Sequence, residues 1–180
     1  AVFRSTKLNE RNTDPDVNLV TLSGKRHVAG VELDLAGRLT SAWEVFGSYM
    51  WLPSARIDVA APCTASATVT CVQTETQGSR PSLTPRHSGT VWTTYQLTPK
   101  LRIGGGLNAR SSISPNRNPG WVAPKYITGD VMAEVAVSED FTLKANVSNV
   151  TNKLYAESLY TGHYVPGAGR LVQVTGSLKF

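Results

Sequence analysis

The sequence predicts an all-β fold, the wall of an antiparallel transmembrane β-barrel, on three observations. Apolar and polar residues alternate with a period of two through about eight segments, each on the order of ten residues, the length a tilted membrane-spanning strand requires. The connections between these segments alternate short and long. No stretch reaches the roughly 18 consecutive apolar residues of a transmembrane helix, so a chain of this kind crosses a membrane with strands.

The segments begin near residues 1, 26, 41, 86, 100, 126, 140 and 171. In the second, Val31, Leu33 and Leu35 oppose Glu32 and Asp34, and in the third Trp43, Val45, Tyr49 and Trp51 oppose Glu44 and Ser48. Leu101, Ile103 and Leu107 oppose Arg102 and Asn108 in the fifth, and Val131, Ala133, Val135 and Val137 oppose Asp130, Glu134 and Ser138 in the sixth. Phe141, Leu143, Ala145 and Val147 alternate with Thr142, Lys144, Asn146 and Ser148, and the last segment places Val172, Val174, Leu178 and Phe180 against Gln173, Thr175, Ser177 and Lys179. Only "AGRLTS", "LTPK" and "VSED" join the second to the third, the fourth to the fifth and the sixth to the seventh. The other connections are long: "ERNTDPDVNLVTLSGK", a stretch of roughly 30 residues around two cysteines, "SSISPNRNPGWVAP" and "SLYTGHYVPGAG". Tight turns at one end and long loops at the other are the layout of an outer-membrane barrel.

Composition agrees. A chain of 180 residues with 41% apolar and 17% charged residues can order itself, and 15 glycines and 10 prolines with many Thr, Ser and Val favour strands and turns. It opens in the strand-like "AVFRSTKLNE" without a basic-then-apolar leader, as expected of a processed chain or of a piece of something longer. Alternation alone also suits a soluble lipocalin-like barrel with its apolar row inside. The sorted loops argue against that, as do the aromatics: Trp43, Tyr95 and Phe141 stand by short turns, Trp51, Trp121, Tyr126 and Tyr155 by long loops, suiting two interfacial girdles. With the apolar face in lipid, Glu32, Asp34, Asp130, Glu134 and Lys144 are expected to face the lumen.

Cys63 and Cys71 flank "TASATVT" with no His or further Cys nearby, so a zinc site is not expected. A disulfide closing this loop is expected, and two free thiols are the alternative. No metal ligand set and no catalytic residues are assigned: His27, His87 and His163 are far apart in the chain, and the glycines of "GGGLNAR" do not follow a strand to open a helix as a dinucleotide fingerprint would.

Three runs carry a family resemblance: "GKRHVAGVELDLAGRLTSAWEVFGSYMWLPSA", "RPSLTPRHSGTVWTTYQLTPKLRIGGGLNAR" and "NVSNVTNKLYAESLYTGHYVPGAGRLVQVTGSLKF". Most specific are the Pro85 to Tyr95 step, the "N-V-x-N-K-x-Y" run from Asn149 to Tyr155, and the final "PGAGR" to Phe180. They closely resemble the C-terminal barrel strands of TonB-dependent siderophore receptors of the catecholate and ferrichrome type, across essentially all of residues 1–180. The resemblance implies an arc of about eight C-terminal strands from a 22-stranded barrel in the bacterial outer membrane, with the plug domain and TonB box absent from this chain. It implies a receptor that binds a ferric siderophore and imports it in a TonB-dependent manner, with no cofactor beyond the iron of the ligand and no enzymatic activity. The implied partners are the ferric siderophore, outer-membrane lipid and lipopolysaccharide, and TonB through the missing plug, with no nucleic acid among them. Phe180 would be the assembly signal read by the barrel-assembly machinery, or simply an apolar strand end. A stand-alone eight-stranded barrel with a structural or adhesion role is the alternative.

One charge pattern bears on the ligand. Between Glu75 and Asp130 there is no acidic residue, yet Arg80, Arg86, Lys100, Arg102, Arg110, Arg117 and Lys125 all occur. Lys100 and Arg102 belong to a short turn, and the other five lie in or beside two long loops. Clustered positive charge concentrates anions, and ferric catecholates are anionic. Lipopolysaccharide phosphates outside the wall would call for the same charge. Trp121, Tyr160 and Tyr164 could pack on siderophore rings, with His163 and Arg170 beside them at the mouth. Girdle anchoring for Trp121 and headgroup contact for Arg170 stay open.

Overall fold

The computed structural model describes residues 1–14, 19–60, 76–115, 120–160 and 163–180. Its strands are β1 (Val2–Asp14), β2 (Leu19–Arg38), β3 (Trp43–Val59), β4 (His87–Thr98), β5 (Leu101–Arg110), β6 (Tyr126–Ala136), β7 (Phe141–Ser148), β8 (Ala156–Tyr160), β9 (His163–Pro166) and β10 (Leu171–Leu178). Eight of them form one sheet in the order β1-β2-β3-β4-β5-β6-β7-β10, every neighbour antiparallel, and β8 and β9 make a separate hairpin. All eight segments read from the alternation are present. The sheet is open: β1 bonds to β2 and β10 to β7, which leaves these two strands as its edges among the described residues.

Pairing register turns alternation into two faces, since directly opposed residues point the same way. One row runs Leu33, Tyr49, Gly89, Ala109, Ile127 and the adjacent row runs Asp34, Ser48, Thr90, Asn108, Thr128. Leu33 (59% exposed), Leu107 (52%), Ile127 (64%) and Val174 (62%) stand open on the first face, so no packed core covers it. The second face is polar and bonded to itself. Thr90 donates to Asn108 Oδ1 (2.7 Å), Asn108 Nδ2 donates to Asp130 (2.9 Å), and Arg102 pairs with Glu134 (3.0 Å), which lies opposite Lys144. A cation on the lipid face at mid-bilayer costs about 2–4 kcal/mol, so this sorting fixes which face meets lipid. Gly106 is required by packing: a Cβ there would lie 2.4 Å from the ring of Trp92.

Two connections differ from expectation. Of residues 10–25, predicted as a loop, 10–14 extend β1 and 19–25 open β2, with a bulge at Asn9, whose φ of 56° is left-handed. Beyond the bilayer neither face needs to be apolar, so these extensions show no alternation. The last long connection holds the β8–β9 hairpin for the same reason.

Candidate ligand-facing rim

At the long-loop end the connections pack on one another. The β5–β6 connection closes on itself through Ile113 and Ala123, which exchange both backbone bonds (3.1 and 2.9 Å). Ile113, Ala123 and Leu159 of β8 are buried together, a small core that joins this connection to the β8–β9 hairpin. Trp121 stacks on Tyr164 of β9 with centroids 5.6 Å apart, and the Tyr164 hydroxyl donates to the Val122 carbonyl (3.2 Å).

Arg110 ends β5 on the polar face and ties the hairpin down. Its Nη2 donates to the Ala156 carbonyl at 2.9 Å and its Nη1 to that of Glu157, while the guanidinium lies 5.0 Å over the ring of Tyr126. Tyr126 in turn meets Tyr155 at 4.3 Å. Below Arg110, a hollow of about 300 Å³ opens on the polar face between Glu32, Met50, Ser88, Asn108 and Tyr126. The connection before β4 joins the same rim. Ile57 and Ser79 bond at 2.9 Å, Arg80 Nη2 donates to the Leu52 carbonyl (2.7 Å), and Leu83 reaches Ser114 (3.0 Å). Burial, with the charge of Arg86 added, pushes the Arg80 guanidinium below its ordinary range.

Asn149 holds the base of the hairpin. It is 4% exposed and left-handed (φ 48°); its Nδ2 donates to the carbonyls of Lys153 (2.9 Å) and Ala168 (3.0 Å), and its Oδ1 accepts from the Lys153 amide (2.8 Å). Its own N–H donates to Asp130 at 2.7 Å, which continues the polar chain of the sheet into the turn. Asn152, also left-handed (φ 51°), accepts from the Arg170 amide (3.0 Å). Asn tolerates this conformation where most residues do not, which gives the "N-V-x-N-K" run its structural reason.

Of the predicted site residues, Arg80, Arg110, Trp121, Tyr164 and the backbone pair Tyr160 and His163 converge on this rim, and Arg86 joins it through its backbone, donating to Ser111 Oγ and accepting from the Leu52 amide. Arg170 is exposed where β10 begins. Lys125 falls elsewhere, lining a furrow with Val91, Leu107 and Ile127 of the apolar face. Phe180 is fully exposed beyond β10. Cys63, Cys71 and Arg117 lie outside the described residues. Sequence reading missed a side-chain row on β2 and β3, where His27 Nδ1 meets Asp58 (2.8 Å) and Nε2 meets Ser54 (3.2 Å). That row ties together the strand extensions beyond Trp51. Among the described residues no three His, Cys, Asp or Glu side chains come together as a metal site would need.

Comparison with known proteins decides the family. Residues 1–150 match the model of the TonB dependent receptor-like β-barrel. The chain belongs to the TonB-dependent receptor barrel family. Proteins of that family are outer-membrane β-barrels, and the open eight-stranded sheet is a segment of such a wall. Over its whole length the chain is 33% identical to the probable TonB-dependent receptor BfrD of Bordetella pertussis, covering 24% of that protein. It is 29% identical to the probable TonB-dependent siderophore receptor PiuA of Acinetobacter baumannii, again over 24% of it. The crystal structure of PiuA superposes with a TM-score of 0.84 over 98% of this chain and 25% of that one, at 26% identity. The closed form of the ferric-catecholate import receptor Fiu from Escherichia coli gives 0.82 over 99% and 24%, also at 26% identity. The chain thus spans about a quarter of the length of the TonB-dependent receptors it matches.

Proposed function

We propose that this chain is the C-terminal wall and part of the outer mouth of a receptor that imports a ferric siderophore of the catecholate class, powered through TonB. The observation that carries the reading is the rim at Arg110. A cation on the lumen face stands over a polar hollow, under loops that present Trp121, Tyr164, His163 and Arg86. An anionic, ring-bearing ferric complex suits such a surface by charge and by stacking. Relationship to Fiu, a catecholate siderophore receptor, supports the ligand class, and relationship to PiuA supports a siderophore as cargo. The plug and its TonB-contacting segment would belong to the rest of the protein, Phe180 would serve barrel assembly, and iron would enter only as cargo. Transport, not catalysis, is the activity proposed.

Fluorescence titration of the purified full-length receptor with a ferric catecholate and with a ferric hydroxamate tests this. Saturable quenching at submicromolar catecholate with none by the hydroxamate is expected, and the reverse preference would overturn the ligand class.

A further inference from the structure

The apolar face carries a furrow of about 780 Å³ at the outward ends of β4, β5 and β6. Register explains it. Along one row Tyr49, Gly89, Ala109 and Ile127 are direct neighbours, so two small residues sit side by side between two large ones. Val91 and Leu107, paired one step nearer the tight turns, form its lower end. At its outward end stand His87, Arg110, Lys125 and Lys153, and the Arg110 guanidinium is already committed to the carbonyls of Ala156 and Glu157. His87 is held there by the Tyr49 hydroxyl (2.8 Å) and by stacking on Trp51. Neither lysine ammonium meets a carboxylate or another hydrogen-bond partner among the described residues.

We infer that this furrow binds one phosphorylated acyl lipid of the outer leaflet, with an acyl chain along Gly89 and Ala109 and a phosphate between Lys125 and Lys153. The inference rests on the outer-membrane reading of the wall, and it separates Lys125 from the ligand-facing cations. Chemistry selects the occupant. The groove is apolar along its length, faces lipid by the sorting of the sheet, and is charged only at the end where headgroups lie. Two ammonium groups at a membrane surface complement a phosphate, whereas a siderophore would approach from the polar face. A bare anion would have no use for the furrow, and an uncharged lipid none for the lysines.

The test uses full-length receptor extracted in mild detergent, relieved of bound lipid, and titrated with bisphosphorylated lipid A by native mass spectrometry. Lys125→Gln with Lys153→Gln is expected to weaken retention roughly thirtyfold, since each basic residue at an anionic membrane surface contributes about a fivefold step in affinity. Ala109→Leu, which fills the furrow without touching charge, should weaken it comparably, and Lys125→Arg with Lys153→Arg should restore it. Millimolar inorganic phosphate should not displace the lipid. Unchanged retention in either the lysine or the Ala109 variant, in receptor that still fractionates with the outer membrane, overturns the site while leaving the receptor reading intact. Efficient displacement by phosphate overturns it in favour of a simple anion site. A wild-type receptor absent from the outer-membrane fraction overturns both.

Discussion

The guanidinium of Arg110 lies 5.0 Å over the ring of Tyr126 and donates at 2.9 Å to the carbonyl of Ala156, 46 residues further along the chain. A cation at the lumen face is thereby committed to holding an outward hairpin. Arg110→Lys keeps the charge and loses the fork that reaches Ala156 and Glu157 together. It should raise amide exchange across Ala156–Tyr160 by roughly the 1.5–3 kcal/mol that hydrogen bonds to a charged group contribute. Exchange unchanged in the lysine variant would show that the hairpin does not depend on this clamp.

Salt separates that structural role from a steering one. Replacing Arg86 and Arg110 together by Gln should slow association of an anionic ferric catecholate, and added salt should shrink the difference, because screening acts over a Debye length of about 8 Å at physiological ionic strength. A salt-insensitive, unchanged on-rate would remove these arginines from ligand capture.

Gly167 leaves room for Tyr155: a Cβ there would lie 2.0 Å from the ring. Gly167→Ala should destabilise the rim by about 1–3 kcal/mol through overpacking. Tyr155→Leu in the same chain should return part of that cost, and strict additivity of the two changes in a thermal unfolding cycle would contradict the contact.

Asn149 makes three side-chain hydrogen bonds in a left-handed turn. At about 1 kcal/mol net for each bond, Asn149→Gly should cost about 3 kcal/mol, and Asn149→Ala more, since Ala also strains at this φ. Heat-modifiability of the folded receptor on gels reads both, and equal loss in the two variants would show that the backbone conformation carries no cost.

Acid should act on the extensions of β2 and β3. The hydrogen bond from His27 holds the Asp58 carboxyl below its ordinary 3.8, at a place beyond the end of β4 and outside the membrane-spanning part of the wall. A depressed carboxyl stabilises the fold above its unfolded pKa and loses that contribution as pH falls through the folded value. Spin labels at Lys25 and Val59, which face one another, should therefore keep their separation from neutral pH down to about 4 and spread below it. Asp58→Asn should abolish the transition, and a transition that survives it would assign the effect to another group.

What the sequence made legible was what period two can carry. Eight strands, their order of tight turns and the placement of Glu134 and Lys144 on the polar face follow from alternation alone, because lipid penalises every departure from it. Past Trp51 and past Arg26 toward the chain's outward tip that penalty ends, and the longer β2 and β3 left no trace in the pattern. The rim was legible only as a list of residue types. Arg110 and Lys125 read as one run of cations, yet Arg110 is clamped over Tyr126 and onto Ala156 while the Lys125 ammonium stands at the end of the furrow. Contacts such as Arg110 with Ala156 join side chain to backbone across 46 residues and impose no pattern on the partner. Asn149 stands out in the sequence through the family resemblance alone, because its hydrogen bonds to the Lys153 and Ala168 carbonyls impose no side-chain pattern on those partners.

The central claim is that this wall belongs to a TonB-powered importer of a ferric catecholate. Accumulation of radiolabelled iron, supplied as a ferric catecholate to cells whose sole catecholate receptor is the full-length protein, tests it most directly. Uptake is predicted that requires an intact TonB and falls to background when the receptor is deleted. Uptake that persists without TonB, or cells that take up no ferric catecholate with the receptor present in the outer membrane, would contradict it.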